Sequence, residues 1–396
     1  MTTALQENIS GFPELTIQEQ IVFEQIKKNI KCIFELFGYV PLETRLIEHL
    51  ETLLEKGIDE KEVYTLCSFH KGDIKEKSET KQIYVLKFDL TVPLARYIGQ
   101  NYKTLFFPLK RYQIQQVYRG ETARESLGRL KEFYQCDIDV IGKESLSLAY
   151  DSEFPCIIYK IFKEVIGIDS FVIRINNRKL LEGLFQEYGM IDTAQLKRCV
   201  KVIDNMEKVP LKDTTNALIV LGLTIIQAQN IFKFFDTCRC SKPENVIKAF
   251  QLLQVKNSLF KQGLDELSDV IHNIISNGVP QQYLMVDPSI ARGLDYYTGT
   301  VYETSLDIPY LDYNDKTKPP IELNLKSLGS VCSGGRYDDL VGALSGNKSD
   351  IFPGCGISIG LSRLIPSLIK VGILKATKAN IIYTQLSTLA TDQQPK

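Results

Sequence analysis

Charged side chains are concentrated in residues 109–142, where they could bind a ligand that carries charges of both signs. Arg119 and Glu121 open a loop that holds three more cations, and Asp137 and Asp139 follow on the segment that returns from it. A basic loop above an acidic floor suits a zwitterionic or phosphorylated ligand, because each charge of the ligand then meets its opposite. Exposure of a polar sheet face to solvent is the simpler explanation of the same residues.

Two strands are predicted to position these side chains. Residues 109–119 and 133–141 alternate with the period of two that is typical of β-strands. The charged residues 120–131 lie between them, so the whole stretch is predicted to form a long hairpin. In the second strand Gln135 shares a polar face with the two aspartates, while the opposite face is apolar and is expected to pack on a core.

At these residues the chain resembles the histidyl-tRNA synthetases, which are class II aminoacyl-tRNA synthetases. Val-Tyr-Arg-Gly-Glu at 117–121 and Gly-Arg-Leu-Lys-Glu-Phe-Tyr-Gln-Cys-Asp-Ile-Asp-Val-Ile-Gly at 128–142 are similar to motif 2 of that family. Other similar motifs extend the resemblance from about residue 11 to about residue 372. The resemblance implies an α+β protein with the class II aminoacyl-tRNA synthetase fold, in which an antiparallel sheet is flanked by helices and a helical insertion domain is added.

Matching the motifs of the family residue by residue implies a histidine site and an ATP site. Residues 285–303 resemble the histidine-specific signature, residues 330–342 a second histidine signature, and residues 352–365 motif 3. The residues implied for histidine are Asp89, Thr91, Arg129, Gln135, Asp139, Tyr296, Tyr297 and Tyr337. Those implied for ATP are Arg119, Glu121, Arg292 and Arg363.

Some of these assignments have structural alternatives. Asp89 and Thr91 match the acidic residue and the threonine with which the family binds the α-amino group of histidine. Asp89 is also a suitable cap for a helix that begins near Pro93, and one side chain can do both. Tyr296 and Tyr297 are expected to line the histidine pocket, but a hairpin with surface tyrosines would show the same pattern.

The implied reaction is the activation of L-histidine by ATP, followed by transfer of the histidyl group to tRNA(His). Both reactants of the first step are anions, so the step needs charge neutralisation and alignment but no side-chain nucleophile. Arg119 is expected to hold the α-phosphate, Arg363 the γ-phosphate, and Arg292 the charge that grows in the transition state. Arg119 and Arg292 are therefore the implied catalytic residues, and Mg²⁺ is expected to arrive with ATP and bridge its outer phosphates.

Histidine is distinguished from other amino acids by the two nitrogens of its imidazole. Asp139, Gln135, Tyr297 and Tyr337 are suitable hydrogen-bond partners for them. A polar pocket of this kind rejects apolar analogues, because its buried polar groups would stay unpaired. Glu121 is expected to accept the amine of adenine or to orient Arg119.

Two other functions fit parts of the sequence. A catalytically silent paralogue, such as the regulatory subunit of ATP phosphoribosyltransferase, would bind histidine as an effector. A synthetase-like module would bind nucleic acid without chemistry. Neither function needs Arg119, Glu121, Arg292 and Arg363 together, which favours the enzyme.

The resemblance divides the chain into four parts. Residues 1–177 and 276–375 are expected to form the two halves of the catalytic core, and residues 376–396 the start or remnant of an anticodon-binding domain. Residues 178–275 are expected to form the helical insertion domain, although the same helices could simply extend the core. Residues 33–50 resemble motif 1, the dimer interface of the family, and imply a homodimer.

Local patterns predict some further elements. An apolar stripe of helical period predicts an amphipathic helix over residues 17–37. Residues 61–66 and 83–88 are predicted to be strands on either side of a polar connection.

Composition narrows the class of protein. The chain has 396 residues, 44% of them hydrophobic, and is long enough for two or three domains with a sizeable core. It has no basic start followed by an apolar run, and no membrane-spanning run of about 18 apolar residues. Nine cysteines without repeated spacing and three histidines make a metal site of protein ligands improbable and favour reduced thiols, so a cytoplasmic protein without a membrane partner is expected. A net charge of −1 neither favours nor excludes a nucleic-acid partner.

Overall fold

A computed structural model describes residues 8–54, 62–67, 83–123, 128–206, 209–238, 242–290, 297–306, 329–344 and 351–375. Its strands are β1 Val40–Pro41, β2 Ile47–His49, β3 Tyr84–Leu86, β4 Leu109–Tyr118, β5 Glu132–Ile141, β6 Val172–Asn177, β7 Leu284–Val286, β8 Thr300–Ser305, β9 Ser330–Tyr337 and β10 Gly354–Gly360. Within these residues, eight strands form one sheet in the order β1-β4-β5-β10-β9-β8-β6-β7, and β2 pairs with β3 separately. The large sheet is antiparallel except at its two edges, where β1 is parallel to β4 and β6 to β7.

Helices flank this sheet. They are α1 Ile17–Leu36, α2 Leu50–Leu54, α3 Thr91–Asn101, α4 Ala149–Lys160, α5 Arg178–Glu187, α6 Thr193–Asp204, α7 Leu211–Val220, α8 Ile225–Cys238, α9 Pro243–Gln251, α10 Ser258–Ser276, α11 Leu340–Leu344 and α12 Leu361–Lys370, and a π-helical segment, Ile161–Ile166, continues α4. The predicted α+β architecture, an antiparallel sheet flanked by helices, is confirmed. Among the residues described, no helix has both the length and the apolar character needed to cross a membrane.

The predicted hairpin is formed by β4 and β5. Its register places Arg111 opposite Asp139, Gln113 opposite Asp137 and Gln115 opposite Gln135. The polar side chains of both strands therefore share one face. The other face carries buried residues that pack into the main hydrophobic core, among them Cys136, Ile138 and Val140.

The first helix is built as its sequence pattern predicts. Thr16 begins it with a capping box, in which the hydroxyl accepts a hydrogen bond from the backbone N–H of Glu19 and the Glu19 carboxylate accepts one from the backbone N–H of Thr16. The apolar stripe is buried in the core that it shares with β5. The α1 helix thereby supports the hairpin from the side opposite its polar face.

The predicted strand at residues 61–66 is reduced to a single bridge in the described residues. Thr65 pairs with Val85, and backbone hydrogen bonds join Leu66 to Tyr84 and Leu86 to Tyr64. Residue 61 lies outside the described part. The other edge of β3 is paired along its whole length by β2, a partner that the sequence pattern did not indicate.

The segment 178–275 is helical in its described residues, as predicted. Gly183 on α5 and Gly263 on α10 lack the Cβ atoms that would collide with Phe260 and Lys179, so the two helices pack closely. The buried side chains of α6 to α9 belong to the same hydrophobic cluster as those of the sheet. The boundaries of a separate insertion domain stay a prediction.

Candidate active site

Two adjoining cavities open above the polar face of the β4–β5 hairpin. The first cavity, of about 230 Å³, is lined by Asp89, Thr91, Arg119, Gln135, Asp137, Asp139, Ile290, Tyr297, Val301, Tyr302, Glu303, Ser330, Ser333, Gly334, Tyr337, Gly356, Ile357 and Ser358. The second cavity, of about 440 Å³, is lined by Arg119, Glu121, Gly128, Arg129, Leu130, Phe133, Gln135, Ser330, Val331, Cys332, Ser333, Ser358, Gly360 and Arg363. Arg119 and Gln135 line both cavities and mark their junction.

Three buried carboxyl groups, those of Asp89, Asp137 and Asp139, face the first cavity. Burial raises the pKa of each of them, because it disfavours the charged form, and it raises the pKa of Asp137 to about 7. The guanidinium of Arg111 opposes this effect at all three. A positive charge nearby would favour the ionised forms of these three buried acids. The first cavity therefore suits a ligand with a positive group.

Asp139 is held by protein groups on both of its oxygens. The Tyr337 hydroxyl donates a hydrogen bond to Oδ1, and Arg111 Nη2 lies 2.8 Å from Oδ2. The Arg111 guanidinium is itself fixed by a hydrogen bond of 3.2 Å to the carbonyl of Leu90. Asp139 therefore lies at the cavity in a defined orientation, and Tyr337 closes the cavity beside it.

Asp89 serves the helix and the cavity with different oxygens. Oδ1 accepts a hydrogen bond of 3.1 Å from the backbone N–H of Val92 in the first turn of α3. Oδ2 is buried and has no hydrogen-bond partner among the described residues. Asp89 therefore satisfies a backbone N–H of the first turn of α3, as the sequence predicted, although it lies one residue before the N-cap, Leu90. Its second oxygen stays available to a ligand.

Arg119 is clamped at the junction of the two cavities. Its guanidinium lies 4.4 Å from the ring centre of Phe88 and 5.0 Å from that of Phe133. Its Nε donates a hydrogen bond of 3.2 Å to the carbonyl of Phe88. These cation–π contacts fix the plane of the guanidinium, so its remaining N–H groups can meet an anion in a defined direction.

The second cavity is rich in cations. Arg363, in the first turn of α12, donates a hydrogen bond of 3.0 Å from Nη1 to the carbonyl of Ser330. Burial and the charge of Arg129 lower the pKa of Arg363, while Glu303 opposes this effect. Gly128 packs on the Arg363 side chain, and an added Cβ there would lie 2.5 Å from Cγ. Two neighbouring guanidinium groups, that of the half-buried Arg363 and that of the exposed Arg129, suit a polyanion such as a triphosphate.

Tyr297 is positioned by β9. Its ring lies 2.9 Å from the place where a Cβ at Gly335 would be. The next residue, Thr298, donates a backbone hydrogen bond of 2.8 Å to the carbonyl of Arg336. Arg336 in turn makes a buried ion pair with Asp151 at 2.6 Å, which ties this part of the sheet to α4.

The structure brings most of the expected site residues together. The first cavity is lined by Asp89, Thr91, Gln135, Asp139, Tyr297 and Tyr337. The second is lined by Glu121, Arg129 and Arg363. Arg119 and Gln135 line both cavities. Arg129, expected at the histidine site, lines only the second of these cavities. Arg292 and Tyr296 lie outside the described residues, so their roles stay predictions.

Some lining residues were given no ligand role from the sequence. Asp137 is the clearest, because its position two residues from both Gln135 and Asp139 places it on the same strand face by simple alternation. Glu303 lies within the stretch that resembles the histidine-specific signature. Ser333 and Ser358 come from strands far along the chain, and no local pattern marks small hydroxyl residues as part of a site.

Known relatives agree with this geometry. The family model "Histidyl-tRNA synthetase" matches residues 11–364. The histidine–tRNA ligase of Clostridium tetani is 44% identical over 368 residues, which cover 92% of this chain and 75% of the relative. That of Nostoc sp. PCC 7120 is 40% identical over 388 residues, covering 95% of this chain and 79% of the relative.

Solved structures show the same fold. The crystal structure of histidyl-tRNA synthetase from Nostoc sp. PCC 7120 superposes with a TM-score of 0.77 at 39% identity, covering 93% of this chain and 77% of that one. An ATP phosphoribosyltransferase regulatory subunit/histidyl-tRNA synthetase from Bacillus halodurans has a TM-score of 0.72 at 19% identity, covering 93% of this chain and 84% of that one, and shows a shared fold alone. The match of the family model over most of the chain, together with these identities, places the chain in the histidyl-tRNA synthetase family of class II aminoacyl-tRNA synthetases.

Proposed function

We propose that this chain is a histidine–tRNA ligase, which activates L-histidine with ATP and transfers the histidyl group to tRNA(His). The observation that carries the proposal is the pairing of an acidic cavity with a cation-rich one, joined at the clamped Arg119. Histidine brings an ammonium group and a carboxylate, and ATP brings a chain of phosphates. The two cavities therefore match the two substrates, and their junction matches the place where a carboxylate meets the α-phosphate.

In the first cavity, the α-ammonium of histidine would lie against Asp89 and Thr91. Gln135, which was expected from the sequence to pair with the imidazole, is assigned here to the ammonium instead, because its Oε1 is a buried acceptor without a partner among the described residues. The imidazole would lie against Asp139, with Tyr297 and Tyr337 beside it and Tyr296 assigned by resemblance. The ion pair with Arg111 keeps Asp139 oriented, so the acid can favour one tautomer or charge state of the ring.

In the second cavity, Arg119 would hold the α-phosphate, Arg363 the γ-phosphate, and Glu121 the amine of adenine. Magnesium enters as part of the Mg–ATP substrate and neutralises the outer phosphates. In the described part of the chain, no cluster of three or more His, Cys, Asp and Glu side chains is arranged to hold a metal ion.

The first chemical step follows from this arrangement. A carboxylate oxygen of histidine attacks the α-phosphorus, and the bond to the β-phosphate breaks to release pyrophosphate. Negative charge grows on the α-phosphoryl oxygens, and the fixed guanidinium of Arg119 is placed to stabilise it, with Arg292 assigned the same role by resemblance. In the second step, a ribose hydroxyl of tRNA attacks the histidyl carbonyl and AMP leaves.

A regulatory protein that only senses histidine is the second candidate. It shares the fold, and it would use the first cavity alone. The second cavity argues against it, because Arg119, Arg129 and Arg363 line a space that a histidine sensor does not need.

Histidine-dependent exchange of labelled pyrophosphate into ATP tests the proposal. We expect exchange with L-histidine and none with L-phenylalanine or L-glutamine, which lack the imidazole. Charging of tRNA(His) transcripts would then test the second step. Binding of histidine without any exchange would overturn the enzymatic proposal and favour the sensor.

We also propose that the chain forms a twofold homodimer in the cytoplasm. Large apolar side chains are exposed around β1 and the β2–β3 pair, namely Val40, Leu46, Ile47, Ile83 and Tyr84. Exposed apolar clusters of this kind mark interaction surfaces, and a twofold contact would cover the same patch on both subunits. The eight described free cysteines fit a reducing compartment. Light scattering that shows a monomer at micromolar concentration would contradict the dimer.

A further inference from the structure

Four buried acceptor atoms of residues that line the first cavity have no hydrogen-bond partner among the described residues: Asp89 Oδ2, Gln135 Oε1, Asp137 Oδ1 and Asp139 Oδ2. Asp139 Oδ2 is in ion-pair contact with Arg111 Nη2 at 2.8 Å, whereas the other three have no ion pair among the described residues. Their residues line the same cavity. A buried acceptor that stays unpaired is costly, so an arrangement of three is explained best by a ligand that supplies the donors. A primary ammonium group carries three N–H donors.

Asp137 differs from its neighbour Asp139 in what its oxygens do. Tyr337 and Arg111 occupy the two oxygens of Asp139. Asp137 is equally buried, and among the described residues it is assigned a hydrogen bond from the Ser358 hydroxyl alone, while Oδ1 has no partner there. Of the two acids of β5, Asp137 is therefore the one with an acceptor to offer.

Ser358 also connects Asp137 to Gln135. Its hydroxyl accepts a hydrogen bond of 3.3 Å from Gln135 Nε2 and donates one to Asp137. The hydrogen bond to Ser358 uses the amide nitrogen of Gln135, so the oxygen of the amide is the atom left for a ligand. The side chains of Gln135 and Asp137, each of which has one unpaired oxygen, are thus connected by the Ser358 hydroxyl on the neighbouring strand β10.

Given the proposed function, we propose that Asp137 is a substrate-binding residue that accepts a hydrogen bond from the α-ammonium of the amino-acid substrate. Asp89 Oδ2 and Gln135 Oε1 complete the acceptor set. The sequence match had assigned the ammonium to Asp89 and Thr91 and had given Asp137 no role.

Charges around Asp137 make this contact sensitive to protonation. Arg111 on β4 and Lys87, which is buried and hydrogen bonded to Gln115, favour its ionised form, while Asp139 and Asp89 oppose it. Burial is the largest effect and raises the pKa of Asp137 to about 7. An ammonium group bound at Oδ1 favours the carboxylate, so substrate binding near neutral pH is expected to release a proton from Asp137.

Two ligands separate a contact with the ammonium from a contact with the ring. L-Histidine has both groups, whereas 3-(imidazol-4-yl)propionate keeps the imidazole and the carboxylate but lacks the ammonium. Asp137→Asn keeps the shape of the side chain and removes its charge. Because a charged hydrogen bond is stronger than a neutral one, we expect Asp137→Asn to weaken histidine binding about tenfold and to change binding of the propionate less than twofold.

Asp139→Asn is the matched control on the same strand. It is expected to weaken both ligands, because Asp139 is assigned to the imidazole. Equal losses of both ligands in Asp137→Asn would overturn the proposal and make Asp137 a ring contact or a structural residue. Unchanged histidine binding in that variant would overturn it as well.

Calorimetry gives a second test. Titrations at pH 7 in two buffers of different ionisation enthalpy count the protons released when each ligand binds to the parent protein and to Asp137→Asn, and the difference between the two proteins removes the ionisation of the ligand itself. We expect this difference to be larger for histidine than for the propionate, and equal differences would contradict the proposal. Pyrophosphate exchange is scored separately, so a protein that binds histidine through Asp137 without exchange would refute the proposed enzymatic function alone.

Discussion

Arg111 and Asp139 form an ion pair across adjacent strands at the floor of the first cavity, with Nη2 of the guanidinium 2.8 Å from Oδ2 of the carboxylate. Both side chains are almost fully removed from solvent, at 0% and 4% exposure. Neither charge could be buried there alone, because desolvation without a partner is costly. The first cavity therefore depends on a structural cation, Arg111, that faces Asp139 from β4.

Asp139→Ala should destabilise the protein by about 3 to 5 kcal/mol, because it leaves Arg111 as an uncompensated buried charge. Urea unfolding measures the effect. The double variant Asp139→Ala with Arg111→Met should recover part of the loss, since methionine needs no partner. A single variant that unfolds at the same urea concentration as the parent protein would show that the pair contributes little.

The stability of the ligand-free protein should depend on pH through Asp137. Its pKa is about 7 in the folded protein and close to 3.9 in an unfolded chain. Between these values the folded state binds more protons than the unfolded state, so the contribution of Asp137 to stability is full below pH 4 and is lost as the pH rises through 7.

Asp137→Asn removes this titration, so the variant should gain in melting temperature over the parent protein as the pH is raised from 5 to 8. Thermal unfolding of both proteins across that range measures the difference. The raised pKa values of Asp89 and Asp139 act in both proteins and largely cancel in the comparison. A difference that does not change with pH would contradict the prediction.

The sequence predicts the strands and helices of this site better than it predicts which of their side chains are in contact. The alternation in residues 109–141 was sufficient to place Gln135 and Asp139 on one polar face, and the hydrogen bond between Asp89 and the first turn of α3 followed from its position before Pro93. Alternation also placed Asp137 on that face, yet nothing local showed which acid would keep a free oxygen. That distinction depends on Arg111 and on strands β9 and β10.

The register between strands that are distant in the sequence explains which contacts of the site could not be predicted. A shift of one residue between β5 and β10 would remove Ser358 from its place opposite Asp137, and no single-sequence pattern fixes a pairing between strands more than 200 residues apart. The place of Arg129 in the second cavity depends in the same way on how the hairpin loop folds toward α12. Residue types and local periodicity indicate which groups belong to a site, whereas long-range pairing decides which of them touch.

Gly128→Ala should raise the KM for ATP about tenfold or more and leave the KM for histidine nearly unchanged. The added Cβ would lie 2.5 Å from Cγ of Arg363, so the guanidinium that is assigned to the γ-phosphate must move. A displaced charge-assisted hydrogen bond accounts for a loss of this size. Pyrophosphate exchange at varied ATP and histidine concentrations measures both constants.

Gly167→Ala is the control for backbone strain. Gly128 and Gly167 both have positive φ, at +65° and +76°, so alanine is strained at either position by about 1 to 2 kcal/mol. No atom lies within 4 Å of a Cβ at Gly167. Equal changes in the two variants would show that strain, and not contact with Arg363, explains the effect of Gly128→Ala.

Arg292→Ala should lower the rate of adenylate formation by about a hundredfold or more while histidine affinity stays nearly intact. The residue lies outside the described part of the chain, so the prediction rests on the match to the histidine-specific signature and on the charge that the reaction develops. An interaction made only in the transition state affects the chemical step and not ground-state binding.

Single-turnover adenylate formation and equilibrium histidine binding, measured on the same variant, test this assignment of Arg292. Arg292→Lys should restore little of the rate, because a point charge does not reproduce the planar fork that meets two oxygens. Added tRNA should not restore it either, since the adenylate forms before transfer. A variant that binds histidine weakly but reacts at the normal rate when saturated would make Arg292 a binding residue and leave Arg119 as the described cation at the α-phosphate.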